Sequence, residues 1–335
     1  MYFKKLKNIL FLIFLFPIFY IIIKTNGNYK KPTSSIIKNN IKKVQKFYKN
    51  KRKQKMHYIE SSINKINNKK NLLIGIIKNY NWYKIEPFFN SFKNAGFKNY
   101  EFIIFYDQLN KYTINKIKLY GIIMYNITKK CGIMNIINCR WKIYEDFLKE
   151  NGCKYNYVFT TDVRDSIFQK DVFKYYDIKK PFLGVAIEDG FLSEKRNKNW
   201  LIRAYGEDLY KTIRNERIIC LGTIWGTVDK FTKFASNMRV KLDSKWSITK
   251  KVTDQAVGNF LIYHDRMFND CLIKSDNKNG FVMTIGLTNI KNITMDYENN
   301  ILNGKGKIAA IIHQYDRKPL IVRKIKIKYC KKKNK

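Results

Sequence analysis

YNYVFTTDVRDSIFQKDVF, Tyr155 to Phe173, opens as an apolar strand and runs straight into Asp162-Val163-Arg164-Asp165, a set of charges that no core would select. The Tyr155–Thr161 run is rich in aromatic and β-branched residues, which predicts a strand. Its charged end would then lie at a strand's carboxyl terminus, where open α/β sheets bind ligands. Two carboxylates across one turn can converge on a hard divalent cation. An aspartate helix cap with a local ion pair explains the same letters, as does a solvated loop. The rest of the chain has to decide among these.

Towards the N-terminus, strand-like and helix-like runs alternate. NLLIGIIKN (Asn71–Asn79), YEFIIFYD (Tyr100–Asp107) and GIIMY (Gly121–Tyr125) read as strands. WYKIEPFFNSFKNAG carries Ile85, Phe88, Phe89 and Phe92 at helical spacing, and Pro87 is tolerated if it lies in the first turn, where a missing N–H costs least. A short amphipathic helix ends by Tyr120, and RWKIYEDFLKENG makes a further helix stopping near Gly152. This alternation predicts an α/β domain with a mixed, mostly parallel central sheet flanked by helices. Beyond Phe173, PFLGVAIED and ERIICLG read as strands, and DKFTKFASNMRVKL and TDQAVGNFLIYH as helices. FVMTIG and KIAAIIH read as late strands that extend the same sheet and carry a second substrate's pocket.

The flanks differ in character. Lys4, Lys5 and Lys7 precede an unbroken apolar run from Ile9 to Ile23. A spanning helix needs roughly 17–25 such residues. The run is bulky to its end and no small-residue cleavage pattern follows, so residues 1–23 read as a cytoplasmic tail and uncleaved signal anchor, with the body lumenal. Residues 24–70 are rich in lysine and asparagine without a sustained apolar stripe, which predicts a basic stem. The folded body is expected over 71–319, and a basic tail over 320–335.

The formal charge of +40 suggests nucleic acid or an anionic surface. The lysines, however, are interspersed with asparagine and isoleucine throughout, as A/T-rich codons would produce. No zinc-finger or RNP signature accompanies them, so nucleic acid is disfavoured as a partner. The 6 cysteines lack C-x-x-C spacing, against a zinc site, while their even number permits disulfides. Asn126-Ile-Thr128 and Asn292-Ile-Thr294 are glycosylation sequons. A P-loop and a G-x-S-x-G elbow are both missing from the sequence.

Three later stretches bear on DVRD. CLGTIWGT (Cys220–Thr227) offers small-residue backbone beside hydroxyls, suited to close approach by a sugar or phosphate, or to an ordinary turn. Asp254-Gln255 stands at a helix start, where a cap is the default reading. HQYDR (His313–Arg317) ends an apolar strand, so His313 is structural, a metal ligand or a phosphate contact. Arg140 and Tyr144, on the helix before the key strand, fit a donor contact, a core role or a surface role equally.

In this order TTDVRDSIFQKDVF, IEDG, CLGTIWGT, TDQAVGNFLIYH and HQYDRKP resemble the GT-A glycosyltransferases, the nucleotide-diphospho-sugar transferase superfamily. The resemblance covers about Asn71 to Pro319. It implies a UDP- or GDP-type sugar donor near Lys78, Tyr80, Asn81 and Asp107, and Mn²⁺ or Mg²⁺ at Asp162 and Asp165. It further implies an acceptor pocket around Gly222 and Thr223, Asp254 and Gln255 beside the reacting sugar, and His313 near the metal and diphosphate. The acceptor would be a glycan, glycoprotein or lipid hydroxyl. The family's usual D-x-D is here D-x-R-D, so either Asp165 reaches the metal from one position further along or Arg164 carries part of the charge compensation. An inverting reaction needs a carboxylate base, for which Asp254, then Glu188 or Asp189, are the candidates. A basic membrane-tethered binding protein and an inactive transferase-like scaffold are the competing readings.

Overall fold

A computed structural model describes residues 69–132, 134–176, 180–249 and 253–330, together with 45–47, 49–51 and 53, which are helical. The expected signal anchor lies outside the described residues. Among the described residues no helix is long and apolar enough to cross a membrane.

The strands are β1 (Lys70–Lys78), β2 (Tyr100–Asp107), β3 (Ile123–Asn126), β4 (Tyr155–Thr161), β5 (Ser166–Phe168), β6 (Leu183–Phe191), β7 (Arg217–Thr227), β8 (Leu272–Ser275), β9 (Val282–Thr284), β10 (Thr294–Met295), β11 (Ile301–Leu302) and β12 (Ile311–His313). The helices are α1 (Trp82–Asn94), α2 (Lys111–Lys118), α3 (Ile136–Asn151), α4 (Lys195–Tyr205), α5 (Glu207–Ile213), α6 (Val228–Thr249), α7 (Asp254–Tyr263) and α8 (Pro319–Tyr329).

The main sheet has seven strands in the order β3-β2-β1-β4-β7-β6-β8. β1, β2, β3 and β4 run parallel, β7 is antiparallel to both of its neighbours, and β8 is parallel to β6. The chain is thus α/β with a large, mixed, mostly parallel sheet flanked by helices. β1 shows why. Its Leu72 and Ile74 point to one face, into a core with Trp141 of α3 and Phe231, Phe234 and Met238 of α6. Leu73 and Ile77 point to the other, against Phe88, Phe89 and Phe92 of α1. A strand covered on both sides has to be apolar at every position, hence the unbroken LLIGII.

Pro87 does not meet the first-turn condition. It lies in the second turn of α1 and is buried. The carbonyl that loses a donor there belongs to Tyr83, an exposed residue on the solvent side.

The late strands also depart from expectation. β9 and β12 do not extend the main sheet; they form a separate sheet in the order β5-β12-β9. β12 is antiparallel to β5, the strand that directly follows DVRD, and His313 pairs with Ser166. β8 takes the edge position beside β6 instead. Residues 320–329, expected as tail, form most of α8, whose Ile321, Ile325 and Tyr329 are buried in a third core with Ile167, Met283 and Ile312. That apolar spacing is helical, and the lysine-rich composition conceals it.

A disulfide links Cys131, in the loop after β3, to Cys139 in the first turn of α3, with the Cα atoms 5.6 Å apart. Cys153, Cys220, Cys271 and Cys330 are free thiols.

Candidate metal centre

DVRD is the connection between β4, in the main sheet, and β5, in the small one. A hydrogen bond between the hydroxyls of Thr161 and Ser166, 2.7 Å, closes its ends. The Asp162 N–H donates to the Gly222 carbonyl at 2.8 Å. The β5–β12 pairing then brings His313 over the loop. One donor atom from each of Asp162, Asp165 and His313 lies within 4.8 Å of the others. His313 Nε2 is 3.5 Å from both Asp162 Oδ2 and Asp165 Oδ1. It is fully buried, yet no well-aligned hydrogen bond serves it.

This set fits a divalent cation. Neighbouring ligands around an ion at 2.0–2.2 Å stand about 3 Å apart, so a small inward movement closes the group on one ion. Two carboxylates with one imidazole suit a cation between the hard and borderline classes. An unserved, buried ring nitrogen aimed at two acids is the arrangement such an ion would complete.

β7 shapes the opposite wall. Its pairing with β6 jumps from Ile224↔Val185 to Cys220↔Ala186, leaving Leu221, Gly222 and Thr223 outside that ladder. Such irregularities bend a strand towards a site. α7 serves the displaced backbone: Gln255 Oε1 accepts from Leu221 N–H at 3.1 Å, and Gln255 Nε2 donates to the Ile219 carbonyl at 3.0 Å. Asn259 binds both polar groups of Ile219. The bulge presses Gly222 against the centre. A Cβ there would come within 2.2 Å of His313 Cε1 and 2.8 Å of Asp162 Oδ2. Only glycine leaves room for the acids and the imidazole together.

Arg140, from α3, is the counter-charge. Its Nη1 donates to Asp162 Oδ1 at 2.7 Å, and its Nη2 to Asp254 Oδ2 at 2.5 Å and to the Leu221 carbonyl at 2.8 Å. Trp141 Nε1 also donates to Asp254 Oδ2, at 3.3 Å. The Asp254 N–H is capped by Asn138 Oδ1 at 2.9 Å. Burial pushes the Asp162 carboxyl up, but Arg140 and His313 outweigh it and hold it well below the usual range. Burial also pushes Asp254 up, and Arg140 offsets this only in part, so its pKa stays raised. Burial disfavours a charged His313, yet Cys220, Asp165 and Asp162 together raise its pKa well above the ordinary imidazole value.

Arg164 turns outward. Its Nη2 bridges Asp165 Oδ2 at 3.1 Å and Asp316 Oδ2 at 3.2 Å, with the side chain 45% exposed. Asp165 therefore offers one oxygen to the arginine and the other to His313.

The remaining sequence candidates divide. Lys78 and Asp107, paired in register at the ends of β1 and β2, form an ion pair at 2.8 Å that Thr128 supports by a 3.0 Å bond to Asp107. Tyr80 lies close enough to feel the charges of Arg164, Asp162, Asp165 and Asp316, and burial raises its pKa. Asn81 Oδ1 accepts a 3.4 Å bond from Asn110. Asn79, Gln108 and Gln314, each immediately after a strand, have φ of 53°, 53° and 60°. Asn99, Lys129, Arg266 and Asn299 adopt the same left-handed backbone elsewhere in the chain. Thr223 is buried with its hydroxyl 3.4 Å from Thr161 Oγ1. Glu188 is buried and its carboxyl oxygen accepts from Gln314 Nε2 at 3.3 Å. Asp189 instead holds loops together, accepting from Thr288 at 2.6 Å, Asn277 at 2.9 Å and Arg217 at 3.1 Å.

Arg140, Cys220, Gln314 and Asp316 complete the surroundings of the centre; the sequence leaves Arg140 open among donor, core and surface roles and gives the other three no role of their own. Nothing in a linear pattern marks an arginine on an amphipathic helix as a buried bridge.

No protein-family model matches the chain, and no curated protein is similar to it in sequence.

Proposed function

We propose that the chain is a glycosyltransferase with a GT-A-like body, moving a sugar from a nucleotide-diphosphate donor to an acceptor hydroxyl with the help of Mn²⁺ or Mg²⁺. The observation that carries this reading is the convergence of Asp162, Asp165 and the unserved His313 Nε2 at the carboxyl end of the central sheet. When bound, the cation would offset charge developing on the leaving diphosphate.

The chain's own residues do the rest. Asp162 and Asp165 supply oxygen ligands, and His313 supplies the nitrogen. Arg140 holds Asp162 ionised and oriented, so that Oδ2 faces the ion while Oδ1 is occupied. Asp254 shares Oδ2 between Arg140 and Trp141 deep in the core. In this reading it is a positioning residue for Arg140, not the group that takes the acceptor's proton. Arg164, half exposed at the rim, stands where a donor phosphate would exchange with Asp316 as its partner. Lys78, Tyr80, Asn81 and Asp107, at the ends of β1 and β2, are placed to line the donor's nucleoside.

The reading also keeps the body on a membrane through residues 9–23, with a lumenal orientation and a glycan, glycoprotein or lipid acceptor. The Cys131–Cys139 disulfide supports an oxidising compartment. The test is nucleotide release by the body from residue 69 onward. UDP or GDP should be freed from a nucleotide sugar in Mn²⁺, and Asp162→Asn with Asp165→Asn should abolish it. Unaltered release in that double variant would remove the metal assignment.

A further inference from the structure

Behind His313, away from the metal side, lies a buried polar cluster that the proposed chemistry leaves unused. Cys220 Sγ is 3.3 Å from His313 Nδ1, the ring nitrogen opposite the carboxylates. Gln314 Nε2 donates to the same sulfur at 3.6 Å and to Glu188 Oε1 at 3.3 Å. Burial raises the Glu188 pKa, and the Cys220 thiol is close enough to be among the groups that lower it. Cys220, Glu188, His313 and Gln314 are each at most 5% exposed.

The direction of each bond follows from one requirement. If Nε2 offers its lone pair to a cation, the ring hydrogen has to sit on Nδ1. Nδ1–H then donates to Cys220 Sγ, and the thiol hydrogen is free to donate to Glu188. Every donor has an acceptor and no two hydrogens meet. Ligating histidines are held in this way by a carboxylate or carbonyl on their second nitrogen. Here a thiol is interposed, because Cys220 is the last residue of β7 before the bulge and its sulfur meets the ring, while Glu188 stands on the neighbouring β6 two residues beyond Ala186, the partner of Cys220.

We infer that Cys220 is a positioning residue for the metal centre, a thiol that relays the Glu188 carboxylate to His313 Nδ1 and so aims Nε2 at Asp162 and Asp165. The inference rests on the metal reading for its purpose, but its geometry can be tested separately. It also gives Glu188 an orienting role instead of a role as base.

The experiment uses the full-length chain, Mn²⁺ alone as probe, and the variants Cys220→Ser and Cys220→Ala. Mn²⁺ binding is followed by electron paramagnetic resonance. The ring N–H of His313 is followed by ¹H–¹⁵N NMR, with His57 and His264 as the only other imidazoles. Native protein should show a protected Nδ1–H. Cys220→Ala should lose that resonance and weaken Mn²⁺ binding about 10- to 100-fold. Cys220→Ser, whose hydroxyl both accepts and donates, should restore both. Retention of the protected Nδ1–H and of native Mn²⁺ affinity in Cys220→Ala would overturn the inference. If native protein binds no Mn²⁺, the metal reading fails, and the Nδ1–H signal alone decides whether the thiol orients the ring. Should Cys220→Ala not fold, Glu188→Met removes the outer acceptor instead. It should shift the Nδ1–H resonance and weaken Mn²⁺ binding, and an unmoved resonance with native affinity overturns the relay.

Discussion

Arg140 and Asp254 form a buried ion pair at 2.5 Å, and the same guanidinium reaches Asp162 at 2.7 Å. One planar fork thus ties the start of α7 to the DVRD loop through α3. A lysine could not do this, since its ammonium is a single point charge.

Removing the fork strands Asp254, whose side chain is only 7% exposed, whereas Asp162, 42% exposed, keeps contact with water. Arg140→Met should destabilise the protein by roughly 3–5 kcal/mol, the usual cost of stranding a buried charge. Arg140→Met with Asp254→Leu should recover a large part of that loss. Urea unfolding of the native protein, each single variant and the double variant is the measurement, and additive losses would show that the pair is not coupled.

The three proposed ligands should act as a unit. Asp162→Asn, Asp165→Asn and His313→Gln should each weaken Mn²⁺ binding by at least about the 10- to 100-fold expected for an outer-shell partner. Calorimetry of the metal alone, without a nucleotide sugar, reads this directly. Native affinity in any one variant would remove that residue from the set.

Gly222 has a different failure mode. An alanine Cβ at 2.2 Å from His313 forces the ring or the β7 bulge to move. Overpacking of this kind costs about 1–3 kcal/mol. Gly222→Ala should also abolish the rise in Tm that Mn²⁺ gives the native protein, because ligand stabilisation follows binding. Thermal unfolding with and without Mn²⁺ separates the two effects.

Arg164 has a smaller structural share. Its partners are at the rim and its side chain is 45% exposed, so Arg164→Ala should change stability by less than about 1 kcal/mol. On the glycosyltransferase reading it should raise KM for the donor far more than it lowers kcat. A change in stability without a change in KM would confine Arg164 to the ion-pair role.

The disulfide should matter to the site as well as to the fold. Closing a loop whose ends are 8 positions apart is worth about 2.5 kcal/mol in chain-entropy terms. Cys131→Ser with Cys139→Ser should therefore lower stability by that order. Because Arg140 is the next residue along α3, the same variant should weaken Mn²⁺ binding. Guanidinium unfolding and Mn²⁺ titration of the double variant check both.

The sequence by itself determined the local elements. β2 occupies the residues of YEFIIFYD, and β4 ends where the apolar run meets DVRD, because strands buried on both faces need uninterrupted apolar stretches. It also marked Asp162 and Asp165 at a strand's carboxyl end, while a cap or ion pair explained the same letters and His313 joined them only through the family resemblance. Tertiary structure decided what those residues meet. FVMTIG and KIAAIIH could pair with any strand edge; only the three-dimensional fold set β12 between β5 and β9, and its pairing with β5 brings His313 to DVRD. It likewise aimed Arg140 inward and Arg164 outward, and turned Gln255 onto the backbone of a bulge that no local pattern announces. The physical reason is range. Strand and helix periodicity are set by neighbours a few residues away, whereas Arg140 meets Asp254 across 114 positions of chain.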